Sequence, residues 1–521
     1  MKREYHAGGA LRATRRQQAH ATQGQSRYMP ISGMDLTSGA LLAAGISAGL
    51  YGIYKNSQGK SAPKTAPGHA ALVDARGAAP PTPPANLTQQ KPQVHIENTP
   101  LIGSEWFETL FEFLDTNGDI NDNKKRFLYN RGTGVLQLSG DGTRKWQAGI
   151  FTTPSLGELR NKTEKIPEKN AGGPKTTVRF VPGDVHILHG DAEYAGAVFQ
   201  SASQFNCLEF GDQNQTPEDG VAIYAYDPTQ GPACAIACAP GTIVRNYFAF
   251  DDGKEPQTKD KQINTLDEVN KYLSEGNNTG KLLVAVKNGY TDIATSRGNK
   301  GLGSLNGAIK EKDRDYAMSL LKVGVQKETE VTFTKRETAA RNGAPWYRVT
   351  SDPPLLVTQV YASALAIGYT KGFHKIMRGR EWHELTDGEK KTVNVLESLW
   401  EPLAQIVLDA AYEATLHAAV LYAKAGTDGR KRVVLTALGG GAFRNNPAWI
   451  SSAIVKAIAK FKGSGLDVVI NEWEEGALAY VKKALEANPE TSGLLEVLDG
   501  NAYGRARHSA RSARAISLYT A

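Results

Sequence analysis

The spacing of apolar residues changes character several times along this chain, and each change predicts a different kind of segment. Leu36 to Tyr54, LTSGALLAAGISAGLYGIY, carries no charge over 19 residues, long enough to cross a bilayer as a helix. Gly45-x-x-x-Gly49 and Ala44-x-x-x-Ala48 give it a small-residue face suited to close helix pairing and self-association in a membrane. The bland alternative is an Ala/Gly-rich stretch, or part of a targeting peptide such as a mitochondrial one. Residues 56–100 hold eight prolines, including the run Pro80 to Pro84. They predict a semi-extended linker that buries no core. The folded body is expected from about Pro100.

Within the body, Glu105–Leu114 predicts a short helix, and two regions then alternate strand and helix. The first, 176–250, runs TTVRFVPGDVHILHG, AGAVFQSASQFNCLEF and GPACAIACAPGTIVRNYF. The second, 355–475, contains LLVTQVYASALAIGY, a long helical run, VVLTALGGGAF, a further helix and LDVVINEW. Strands separated by helices of this length predict an α/β fold with a mixed, mainly parallel sheet flanked by helices. The long helix is expected to start at a capping box, Thr386-x-x-Glu389, and to break or kink at Pro402. Between the two regions, 251–350 is rich in Lys, Asp and Gly and reads as an inserted subsidiary lobe. The expected organisation is therefore a basic segment to 35, a membrane helix over 36–54 and a linker over 55–100. The body runs over 101–175, 176–250, 251–350 and 351–503, and a basic tail over 504–521.

Charge changes the picture at the ends only. The chain carries 61 basic and 54 acidic residues. Residues 1–100 hold 11 and 4 of these and the last 21 residues hold four and none, which leaves 46 and 50 for the body. A mildly acidic body does not offer a basic face for nucleic acid. The heavier N-terminal basic cluster favours an inside N-terminus for a single-pass anchor. Cys207, Cys234 and Cys238 make neither a disulfide framework nor a zinc-ligand pattern, so the body is expected in a reducing compartment. Asp115-Thr-Asn-Gly-Asp119 resembles the start of a calcium loop. Ile120 and Arg126 stand where that loop needs Gly and Glu, so it reads as a turn. No metal or cofactor is called for.

The candidate chemistry lies at three strand ends. Val433 to Leu438 is apolar and runs into Gly439, Gly440, Gly441, Ala442 and Phe443, with a helix from Pro447. Glycines let backbone approach a ligand, and a helix start offers N–H groups to an anion. Open α/β sheets bind ligands at such strand ends. A second loop enters a short helix at Asp227-Pro-Thr229-Gln230-Gly231-Pro232, with Pro240-Gly241 ending it. Cys234 and Cys238 on that helix read as small core residues. Third, a strand from Val198 ends in packed amides and hydroxyls, Gln200, Ser203, Gln204 and Asn206, suited to ribose hydroxyls or base edges. Asp184, in a Gly-Asp-Val turn, either accepts an exocyclic amine or caps the turn.

These residues, in this order, resemble the macro domain, the ADP-ribose-binding fold, over about 200 residues, 176–250 and 355–475. Gly183-Asp184-Val185 is similar to its adenine-contacting turn. Gln200-Ser-Ala-Ser203 stands at its Asn-Ala-Ala-Asn run, Thr229-Gln-Gly-Pro232 at its first phosphate loop, and Gly439-Gly-Gly-Ala-Phe443 at its last. The resemblance implies a three-layer sandwich that binds ADP-ribose or a related nucleotide diphosphate and hydrolyses ADP-ribosyl linkages, with Asn206 or Asp227 orienting water or a ribose hydroxyl. Gln and Ser replace the family's asparagines and the first loop lacks its triple glycine. A non-catalytic reader of ADP-ribosylated partners, or an anchored structural protein with an idle pocket, are therefore the alternatives.

Overall fold

The computed structural model describes residues 91–496, apart from 116–119, 141, 167–173, 276–281, 295–298, 337–343, 378–379, 381 and 473–474. The 36–54 segment, the linker to residue 90 and the basic tail lie outside the described residues. Among the described residues, no helix is long and apolar enough to cross a membrane.

A seven-stranded sheet organises the body. Its strands are β1 (Ile150–Thr152), β2 (Thr177–Pro182), β3 (Val198–Ser203), β4 (Gly324–Glu330), β5 (Leu356–Ser363), β6 (Lys431–Leu435) and β7 (Leu466–Glu472). Their spatial order is β1-β4-β5-β3-β6-β7-β2. The five strands from β5 to β2 are parallel, and β4 and β1 add an antiparallel edge. This is the mixed, mainly parallel sheet that the alternating pattern predicts.

Strand periodicity builds the two helical layers. Successive side chains point to opposite faces. Val433 and Leu435 pack with the 36-residue helix that follows β5, whereas Val434 between them packs with Ala233, Cys234 and Val185 on the other face. The helices are α1 (Val185–His189), α2 (Gln230–Ala237), α3 (Ala239–Tyr247), α4 (Asp387–Tyr422) and α5 (Pro447–Lys460). Helix α4 begins at the predicted capping box, in which Thr386 and Glu389 satisfy each other's backbone N–H groups. It does not break at Pro402. Trp400, Leu403, Ala404 and Ile406 are all buried, so packing on both sides of the proline holds the helix together across the lost hydrogen bond. Pro240-Gly241 likewise does not terminate the helical region. The chain turns at Cys238 and starts α3 at once, with Pro240 in its first turn.

The 251–350 stretch is stitched into the body and does not form a separate lobe. It supplies β4 to the main sheet, and its Tyr347–Asp352 strand pairs with Gln93–Ile96 from the end of the expected linker. The early helix spans Glu105–Phe111 and stops where Glu112 turns left-handed. Asp115, at the head of the calcium-like run, accepts hydrogen bonds from Asn123, Ala222 and Tyr247. It is a buried tie between segments.

One buried ion cluster clamps three parallel strands. Asp467 on β7 accepts from Arg179 Nε on β2 at 3.0 Å and from Arg432 Nε on β6 at 2.6 Å. Burial alone would raise its carboxyl, but the two guanidinium groups win and lower it. A carboxylate depressed by folding stabilises above its unfolded pKa of about 3.8 and loses that contribution as pH falls through the folded value. Asp467→Asn is expected to cost about 2 kcal/mol at pH 7, below the range for breaking a fully buried pair because both arginines are partly exposed. It should also flatten the acid limb of stability. Urea melts between pH 3 and 7 check both, and an unchanged acid limb contradicts the assignment.

Candidate active site

The carboxyl ends of β2, β3, β5 and β6 open on one side of the sheet, where three connections converge. The first leaves β3. Ser203 is followed by a tight loop whose Cys207 is left-handed, at φ 61°. Gln204 closes this loop: its Oε1 accepts from Phe210 N at 3.1 Å, and its Nε2 donates back to the Phe210 carbonyl. Asn206 Nδ2 donates to Gln262 Oε1 at 2.9 Å, and its Oδ1 accepts from Leu208 N at 3.0 Å. Both expected ribose-contacting amides are thus engaged in holding the loop. Gln200 is engaged likewise. As an even-numbered residue of β3 it points to the α4 face, where Nε2 donates to Thr415 Oγ1 at 3.0 Å.

What the loop carries into the site is Glu209. Its side chain is 2 % exposed and its Oε1 has no hydrogen-bond partner. The other oxygen lies against Gly231, where an added Cβ would come within 2.3 Å of it. Burial pushes this carboxyl well above its usual range, opposed by the Arg245 charge and the Ser203 hydroxyl. Tyr224 fixes the backbone beneath, its hydroxyl accepting from Glu209 N at 3.1 Å.

The second connection runs from Tyr224 into α2. Asp227 Oδ1 accepts from Thr229 N at 2.8 Å and shapes the turn. Burial raises this carboxyl too. Gln230 does something that the sequence does not announce. Beyond Phe199, β3 no longer pairs with β6, and Gln230 takes the vacant backbone positions. Its Oε1 accepts from Ala202 N at 2.7 Å and its Nε2 donates to Gln200 O at 2.9 Å. A single side chain thus stands in for a strand and seats the start of α2 on β3. Gly231 follows because only a bare Cα fits there: a Cβ would lie 2.0 Å from Ala202 O.

The third connection is the Gly-rich loop between β6 and α5. Gly439 adopts φ 75°, and a Cβ on it would meet Ala364 Cβ at 2.4 Å. Tyr412 on α4 anchors the loop's base, donating to Thr436 O at 2.7 Å and accepting from Leu438 N at 2.9 Å. Glu472 at the end of β7 accepts from Thr436 Oγ1 at 2.8 Å and from Ala437 N. Asn445 Nδ2 reaches across to Leu365 O at 2.8 Å, and Asn446 caps α5. With its base held in this way, the tip formed by Gly440, Gly441 and Ala442 is exposed. Phe443 turns inward onto Tyr290 and Tyr369, with ring centroids 5.6 and 5.9 Å away. Tyr290 comes from the hairpin Val284–Ile293 inside the 251–350 stretch, and its hydroxyl donates to Phe210 O at 2.7 Å. That stretch therefore supplies one wall of the site.

Asp184 stands slightly apart. It caps α1, accepting from His186 N at 3.1 Å, and pairs with His186 Nδ1. Burial works to raise its carboxyl, but His186 and Lys335 carry it down to about 2. Of its two expected roles, the capping one is visible.

The structure brings Ser203, Asp227, Thr229, Gln230, Gly231 and the Gly439–Phe443 loop to one side of the sheet, and it directs Gln200, Gln204 and Asn206 elsewhere. Glu209, Tyr290, Tyr369 and Arg245 were missed. Glu209 had a signal, an acid embedded in the apolar Cys-Leu-Glu-Phe run; the tyrosines had none, since only tertiary folding joins them. The three thiols are free and buried, and burial raises all three. Among the described residues, no cluster of His, Cys, Asp or Glu is built to hold a metal. A cavity of about 340 Å³ lined by Thr152, Lys162, Lys327 and Tyr422 lies at the β1–β4 edge and touches none of these residues.

No family model and no curated protein matches the chain. Solved structures similar to it include the poly(ADP-ribose) glycohydrolase of Thermomonospora curvata, at 12 % identity and TM-score 0.32, covering 73 % of this chain and 97 % of that one. The poly(ADP-ribose) glycohydrolase of Deinococcus radiodurans in complex with ADP-ribose is similar at 13 % identity and TM-score 0.29, covering 65 % and 93 %. At such scores the likeness carries no weight for the site, which rests on its own residues.

Proposed function

We propose that the convergent loops bind ADP-ribose or a related nucleotide diphosphate and that the site hydrolyses an ADP-ribosyl glycosidic bond. The observation that carries this reading is Glu209, a buried carboxyl with one unpartnered oxygen, seated against the first turn of α2. Burial raises the carboxyls of both Glu209 and Asp227, but it carries Glu209 well above its usual range, so Glu209 is the one suited to hold a proton as a general acid. In the proposed step, Glu209 gives that proton to the leaving oxygen as the bond from the distal ribose carbon breaks. Asp227 takes a proton from the water that attacks the same carbon. The products are the free alcohol or acid and ADP-ribose, and Asp227 passes its proton through solvent to restore Glu209. The start of α2 and the exposed glycine tip supply N–H groups for the diphosphate. The Tyr290–Tyr369–Phe443 cluster walls the site.

Thermal denaturation of the full-length chain tests the binding half. ADP-ribose at a hundredfold excess over its Kd is expected to raise the midpoint by roughly 3 °C, and Gly440→Val is expected to remove the rise. A midpoint indifferent to ADP-ribose and to other nucleotide diphosphates defeats the reading.

A further inference from the structure

Arg245 on α3 is completely buried. Its Nε donates to Cys207 O at 3.2 Å, its Nη2 to Thr242 Oγ1 at 3.0 Å, and its guanidinium carbon lies 3.5 Å from the centroid of the Tyr361 ring. Nη1 is buried and has no hydrogen-bond partner. A buried guanidinium keeps its charge under all ordinary conditions, and an unpaired one is costly. The loop that Arg245 grips through Cys207 O is the one that carries Glu209 two residues later. Glu209 Oε1 is likewise buried and unpartnered.

We propose that Arg245 is a positioning residue for the site: through Cys207 O it holds the loop that carries Glu209, and its guanidinium is the buried counter-charge of that carboxyl, without touching substrate. This rests on the hydrolytic reading above. The other titratable groups that interact electrostatically with Glu209 leave Arg245 this role. Cys207, Cys234, Tyr224, Tyr290 and Tyr361, from its own loop, α2, the connection into α2, the hairpin and β5, are all raised by burial and stay neutral. Ser203 is neutral, and Asp227 acts with the burial that pushes Glu209 up. Among the described residues, Arg245 is thus the cation that acts on Glu209. Its charge opposes the burial that raises Glu209.

The test compares wild type with Arg245→Met and Arg245→Lys in the full-length chain, using an ADP-ribosylated peptide. Activity that needs a protonated Glu209 falls as pH rises through its pKa. Removing the positive charge raises that pKa, so Arg245→Met is expected to move the alkaline limb of kcat upward by at least one pH unit, about tenfold in proton affinity. Arg245→Lys should hold the limb near wild type. Isotope-edited infrared titration of the Glu209 carboxyl, assigned by its loss in Glu209→Gln, should shift in parallel and needs no turnover. If wild type does not turn over yet the titration shifts, the hydrolytic reading fails and the coupling stands. If a folded Arg245→Met leaves the titration unmoved, the inference is overturned. Should Arg245→Met not fold, Arg245→Gln, which keeps a donor for Cys207 O, carries the same measurement with the same two outcomes.

Discussion

Glu209→Gln is expected to lower turnover of an ADP-ribosylated peptide by about 10²–10⁴-fold, the usual contribution of a positioned proton donor, while ADP-ribose still binds with near wild-type affinity. Glutamine keeps the volume against Gly231, so the start of α2 stays seated. It offers no proton of comparable acidity to the leaving oxygen. The pH dependence of stability gives a second reading from the same variant. The Glu209 carboxyl is raised by folding. Its contribution is therefore fully present below the unfolded pKa and is lost as pH rises through the folded one. An uncharged amide has nothing to lose there, so Glu209→Gln should unfold less readily than wild type on the alkaline side. Asp227→Asn separates the roles: loss of rate with the alkaline limb unchanged fits a water-activating base. Single-turnover rates and product analysis by mass spectrometry check the first expectation. A Glu209→Gln protein that turns over at the wild-type rate removes Glu209 from the chemistry.

The layout of the body was legible because period-2 and helical spacings are local. Lys431–Leu435, Leu466–Glu472 and the capping box at Thr386 stand where hydrophobic spacing and capping residues place them. The chain's reading of polar runs was less reliable, for a physical reason. A Gln or Asn is equally suited to a ligand and to a backbone gap, and the choice depends on which backbone groups a tertiary contact leaves unpaired. Gln230 fills the gap left where β6 parts from β3, and Asn206 meets Gln262 from 56 residues away. No local pattern encodes either. The 251–350 stretch misled for the same reason. Its low apolar density suggested an appendage, yet β4 pairs antiparallel with β5, and one tyrosine of its hairpin reaches the Phe210 carbonyl. Pro402 shows the converse, since a local breaking signal is overridden by burial on both sides of it.

Gly231→Ala is expected to destabilise the body by about 3 kcal/mol or more, at or beyond the upper end for overpacking a core. The obstacles are two and neither can yield cheaply. The new methyl would lie 2.0 Å from Ala202 O, a backbone atom of a central strand, and 2.3 Å from a Glu209 oxygen. Relief requires α2 to lift from β3, which breaks both hydrogen bonds from Gln230 and exposes Ala233 and Cys234. Against a typical total stability of 5–15 kcal/mol, that loss is large enough to lower soluble yield as well as activity. Gly303→Ala and Gly307→Ala provide the contrast. Both sit in the helix Asn299–Glu311 with nothing within 4 Å of the added carbon, so each should stabilise by up to about 1 kcal/mol through helix propensity. Urea denaturation of the three variants decides the matter. If Gly231→Ala melts with wild type, the contact between α2 and β3 is looser than the geometry requires, and the seat proposed for Glu209 goes with it.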